Sequence, residues 1–133
     1  MKNTQVAFYS TTLGMTEKFV RKLNDVDLVR IPKSLDQETP LVTAGSFVAI
    51  PTYHDGDGPA PVILPCIERF LQENRENLVG IIGIGNRNFG RSFCLSAKVA
   101  SSRYNIPIAG LVELMGTPEE VAMIQEAIEF TRR

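Results

Sequence analysis

Leu78-Val79-Gly80-Ile81-Ile82-Gly83-Ile84 is the most apolar stretch of the chain, and Gly85-Asn86-Arg87-Asn88-Phe89-Gly90-Arg91-Ser92 follows it directly. Seven uncharged residues, three of them isoleucine, read as a central strand covered on both faces. The segment behind it is rich in glycine and asparagine around one phenylalanine, a costly composition for a mere connector. A helix from Phe93 to Tyr104 follows, then a strand at Pro107 to Ala109, with a continuation to Leu114 left open.

Working outward, the same alternation recurs. Towards the amino end, Pro65 to Glu76 reads as a helix with Pro65 in its first turn, where a missing N–H does no harm. Ile67, Phe70 and Leu71 form its inner face. Phe47-Val48-Ala49-Ile50, stopped by Pro51, and Leu28-Val29-Arg30-Ile31, stopped by Pro32, are strands. Val6-Ala7-Phe8-Tyr9 is the first strand, and Phe19, Val20 and Leu23 give the stripe of a helix from Met15 to Leu23. At the other end Thr117-Pro118-Glu119-Glu120 opens the last helix. Thr117 caps it, Pro118 takes the first helical position and Glu120 completes a capping box. Val121, Ile124 and Ile128 are its core stripe, and Arg132-Arg133 is expected to be a frayed, solvated tail.

Strands that are nearly continuously apolar, alternating with amphipathic helices, imply a parallel sheet wrapped on both sides. With 133 residues, 44% hydrophobic and 22% charged, the chain suits one domain over residues 1–133. The expected fold is α/β: a flavodoxin-like three-layer sandwich with a five-stranded parallel sheet in the order 2-1-3-4-5. Ligands of such sheets bind beyond the carboxyl ends of the strands, where the strand order reverses.

Composition excludes several classes of function. A net charge of -1 gives no sign of a nucleic-acid partner. No apolar run approaches the roughly 20 residues of a membrane helix, and the start lacks the pattern of a signal peptide. No membrane association is expected, and the chain reads as cytoplasmic. Cys66 and Cys94 match no metal-binding spacing and are expected to be small buried thiols. Cys94 also lies near a helix N-terminus, where a thiolate is favoured. One histidine, His54, leaves little for a zinc site or a serine-type triad, and it is read as a surface turn residue.

Three loops at the carboxyl edge carry the chemistry. The first, Ser10-Thr11-Thr12-Leu13-Gly14-Met15-Thr16, combines four hydroxyls with a glycine at a helix start, which makes a phosphate cradle. It lacks the lysine of a Walker loop and the glycine spacing of a dinucleotide fold. A phosphate monoester held by hydrogen bonds, as in FMN, suits it; an ordinary capped helix start has the same composition. The second, Pro51-Thr52-Tyr53-His54-Asp55-Gly56-Asp57-Gly58-Pro59, offers an aromatic face beside permissive backbone, suited to a flat ring, though Asp-Gly pairs also make plain turns. The third runs from Gly83 to Ser92, with three glycines and two asparagines around Phe89.

Gly85-Asn86-Arg87-Asn88-Phe89-Gly90 together with Glu113-Leu114-Met115-Gly116-Thr117 resembles the NrdI family of flavodoxin-like proteins, and the similarity covers essentially the whole chain. The resemblance implies an FMN-binding helper of class Ib ribonucleotide reductase, closer to an activator or electron-transfer protein than to an enzyme in the usual sense. It implies that the reduced flavin reacts with molecular oxygen to give superoxide. That oxidant serves the reductase small subunit, where a dimanganese-tyrosyl radical cofactor is assembled. Carried over by position, Ser10, Thr11, Thr12, Gly14, Met15 and Thr16 surround the phosphate. Thr52, Tyr53 and Gly56 flank one side of the ring, and Asn86, Arg87, Asn88, Phe89 and Gly90 line the other. No metal site is implied. Partners are the small subunit and a flavin-reducing protein, and the chain is expected to be monomeric. Family members usually carry Asn-Thr at Met15-Thr16, and some have a run of glycines where this chain has His54 to Gly58.

The third loop holds Arg87 and Arg91 and no acid. A cation beside the ring favours the anionic reduced flavin, so both flavin couples are expected to lie closer together than in an acidic flavodoxin, with Asp55 and Asp57 of the second loop as the acids able to offset it. Two other readings use the same residues: a flavin-free module that grips the same reductase, and a general flavodoxin-type electron carrier. A quinone reductase using NAD(P)H has no recognisable nicotinamide site.

Overall fold

In the computed structural model, which describes residues 3–9, 14–52, 63–87 and 93–132, the strands are β1 (Thr4–Phe8), β2 (Val26–Arg30), β3 (Ser46–Pro51), β4 (Leu78–Gly85) and β5 (Ile108–Glu113). The helices are α1 (Met15–Val20), α2 (Pro65–Asn74), α3 (Leu95–Tyr104) and α4 (Pro118–Thr131). The strands form one parallel sheet in the order β2-β1-β3-β4-β5, as the alternation predicts. Because all pairs are parallel, every strand ends on the same edge of the sheet.

Side chains alternate across the strands and build two cores. Ala7, Val48, Ile50 and Ile81 face α2 and α3, where Ile67, Phe70, Leu71, Ala97 and Ala100 meet them. Val6, Phe8, Phe47, Ala49, Ile82 and Ile84 face α1 and α4, meeting Phe19, Val20, Ile124 and Ile128. Each fully buried Ile or Phe contributes about 1.5–3 kcal/mol of transfer free energy, so this double burial is the main force holding the sheet. The glycines of β4 set how closely the layers approach. A methyl group at Gly83 would lie 2.8 Å from both Ala97 Cβ and Leu111 Cδ2, so α3 rests directly on the strand.

The capping box is present: Thr117 Oγ1 accepts from Glu120 N at 3.1 Å, and Glu120 Oε1 accepts from Thr117 N at 3.0 Å. The first helix is shorter than its apolar stripe suggests. It ends at Val20, and Lys22 and Leu23 close a tighter turn by donating to Phe19 O and Val20 O at 3.0 and 3.1 Å. Arg132 is not a frayed tail. Its Nε donates to Thr4 Oγ1 at 2.9 Å and its terminal nitrogen donates to Asp25 O, tying the end of α4 to the amino edge of the sheet. Arg133 lies outside the described residues. No helix among the described residues is long and apolar enough to cross a membrane.

Candidate functional site

At the carboxyl edge β1, β3 and β4 lie side by side, with Phe8 opposite Ala49 and Pro51 opposite Ile84. The three loops singled out above all leave the sheet here. Of the expected site residues, Gly14, Met15, Thr16, Thr52, Asn86 and Arg87 are described. Ser10, Thr11, Thr12, Tyr53, Gly56, Asn88, Phe89 and Gly90, with His54 and Arg91, lie outside the described residues.

Gly14 is the N-cap of α1, in left-handed conformation with φ +71°, and a methyl group there would meet nothing within 4 Å. Its carbonyl accepts from Lys18 N at 2.9 Å. The N-cap of α1 is thus a glycine, and Ser10, Thr11 and Thr12, on which the alternative of an ordinary capped helix start rests, lie outside the described residues. Met15 is half-buried and Thr16 is 2% exposed.

Thr52 extends the β3–β4 ladder by one bond, its N–H donating to Ile84 O at 3.0 Å. Its hydroxyl accepts from Ser96 N at 3.0 Å. Ser96 is the second residue of α3, whose N-cap, Cys94, makes no side-chain cap. A helix start leaves its first amides without intrahelical partners. Thr52 thus caps α3 from another loop, a duty its sequence neighbours do not signal.

The third loop begins with a clamp. Half-buried Asn86 leads out of β4 to exposed Arg87. The Arg87 backbone N–H donates to Glu113 Oε2 at 3.1 Å, and its Nε lies 3.6 Å from Glu113 Oε1. Its terminal nitrogen reaches Glu120 Oε2 at 3.4 Å, and the guanidinium lies 4.5 Å from the centre of the Phe93 ring. Glu120 also accepts from Glu113 N at 3.3 Å besides closing its capping box. Leu114 N donates to Gly85 O at 2.8 Å, completing a seam between the ends of β4 and β5. The expectation of a cation without an acid is therefore corrected for Arg87: two carboxylates face it, supplied by the end of β5 and the first turn of α4. Glu120 was legible only as a helix cap and Glu113 only as part of a motif. Their meeting at Arg87 depends on β4 and β5 being neighbours.

Beneath the rim Cys94 is fully buried, and its thiol donates weakly to Val112 O at 3.9 Å. Burial pushes the thiol up to about 11 from an ordinary 9.0, outweighing its place at a helix start. Burial likewise raises Cys66 and Tyr9. These groups stay protonated at neutral pH and serve packing. On the far side of α1, Lys22 Nζ donates to Met115 O at 3.0 Å. Gly116, with φ +84°, turns the chain where a methyl group would lie 2.6 Å from Phe19.

Comparison with known proteins agrees with this architecture. The family model described as NrdI flavodoxin like matches residues 6–126. Protein NrdI of Chromohalobacter salexigens is 41% identical over 130 residues, covering 95% of this chain and 96% of the relative. Among solved structures, a short-chain flavodoxin associated with a bacterial microcompartment superposes with a TM-score of 0.63 at 16% identity, covering 97% of this chain and 95% of its own. A Fusobacterium nucleatum flavodoxin variant bound to flavin mononucleotide gives 0.57 at 16% identity, covering 99% of this chain and 96% of its own. At such identities the two structures speak for the fold alone.

Proposed function

Because the chain belongs to the NrdI flavodoxin-like family, we propose that it holds FMN at the carboxyl edge of the sheet and serves the activation of a class Ib ribonucleotide reductase. The observation that carries this reading is the side-by-side order of β1, β3 and β4, which gathers three loops of suitable chemistry at the point where strand order reverses.

The described residues fit the cofactor. Gly14 presents bare backbone in a conformation that favours glycine, with no described atom within 4 Å of where a side chain would start. Around it the hydroxyls of Ser10, Thr11, Thr12 and Thr16 and the backbone of Met15 bind the phosphate. Since α1 has only six residues, recognition rests on these local donors more than on a helix dipole. Thr52, Tyr53 and Gly56 flank one side of the ring. Asn86, Arg87, Asn88, Phe89 and Gly90 line the other, with Tyr53 and Phe89 supplying apolar surface that excludes water. Bound FMN supplies electron transfer and, once reduced by a partner protein, reaction with oxygen to give superoxide for assembling the dimanganese-tyrosyl radical cofactor of the reductase small subunit. The chain acts as a monomer in the cytoplasm.

The test is to reduce the FMN-loaded protein without air, mix it with the manganese-loaded small subunit and admit oxygen. Tyrosyl radical should form, read by electron paramagnetic resonance, well above the yield with free reduced FMN. A yield no better than free flavin would contradict the activator role.

A further inference from the structure

The clamp at Arg87 is built beyond what a connector needs. Glu120 is 13% exposed in its side chain and Glu113 32%, against 58% for Arg87. The acids are thus the more buried members. The Glu120 carboxylate accepts from two backbone amides, Thr117 N at 3.0 Å and Glu113 N at 3.3 Å. That leaves it fixed before Arg87 arrives. Glu113 then takes both the Arg87 backbone N–H at 3.1 Å and the guanidinium edge. Phe93, the described residue that closes the same loop, takes the guanidinium face at 4.5 Å. Arg87 is thereby held at the start of the loop through its backbone, its edge and its face.

Exposed ion pairs add little to stability, so stability does not account for three separate fixings. Their consequence is electrostatic. A free guanidinium on a solvated rim swings towards any anion placed there; one held between two carboxylates is both restrained and neutralised. Resting on the reading of this edge as a flavin site, we propose that Glu120 and Glu113 are positioning residues that fix the Arg87 side chain at the rim of that site and mask its charge. The acid absent from the third loop's own sequence is supplied by its neighbours, and it keeps the reduced, anionic flavin from being over-stabilised.

The test is Glu120→Gln. Glutamine serves the capping-box position as well as glutamate, so the fold and FMN binding are retained while the charge is lost. The preference for reduced over oxidised FMN should rise roughly fivefold at low salt, about 40 mV for a one-electron couple, and less at high salt. Glu113→Gln should shift it in the same direction. In an Arg87→Gln background the effect of Glu120→Gln should fall below half, because Arg87 transmits it. No shift at either glutamate, or a shift of equal size with and without Arg87, would overturn the proposal while leaving flavin binding intact. A parent protein that binds no FMN would overturn the flavin reading and this proposal with it.

Discussion

The body of β4 and its carboxyl end are held by opposite means. From Gly80 to Gly85 every residue is buried, and neighbouring layers come so close that Gly83 admits no methyl group. Two residues further on, Arg87 is exposed and held by two carboxylates and the face of the buried Phe93 ring. The first region fixes where the edge is; the second fixes what charge the edge presents. Stability and electrostatic tuning are therefore separable along a few residues of one strand. Substitutions should move one and spare the other.

The largest effect should come from Gly83→Val, which forces Ala97 and Leu111 apart. A loss of about 4 kcal/mol or failure to fold is expected, read by urea unfolding. Next is the buried Cys94 thiol. Its folded value lies above its ordinary one, so its contribution is complete below pH 9 and disappears as pH rises through about 11. The stability difference between the parent and Cys94→Ala should shrink across that window, by at most about 2–3 kcal/mol. Thr52→Val removes the hydroxyl that accepts from the Ser96 amide and should cost about 1–2 kcal/mol, with faster hydrogen exchange at Ser96 N. Thr117→Ala removes the α4 cap, at about 1 kcal/mol in the same assay. Smallest of all, Arg87→Gln should cost at most about 0.5 kcal/mol in stability. A large stability loss there would break the comparison, because the rim would then be carrying the fold.

Much of this was legible in the residues themselves. Apolar runs located all five strands, and the Thr117-Pro118-Glu119-Glu120 signature located the start of α4, because burial and capping are local and periodic. Helix ends were less legible: the stripe reaching Leu23 continues past α1 as a tighter turn, since a buried residue can follow a helix without belonging to it. At the site, glycine and hydroxyl content pointed to the edge, but the partners there did not. Glu113 lies 26 residues from Arg87 and Glu120 lies 33. Thr52 caps a helix 44 residues away. Such pairs are created by strand order, and no pattern within either segment encodes them. Arg132 shows the same: it reads as solvated until α4 brings it to Thr4 and Asp25.

The most direct test of the central claim is a titration of the purified protein into FMN, followed by flavin fluorescence and visible absorption. The account predicts quenching that saturates at one FMN per chain with a shifted flavin spectrum. Fluorescence and spectrum unchanged from free FMN at any protein concentration would contradict it.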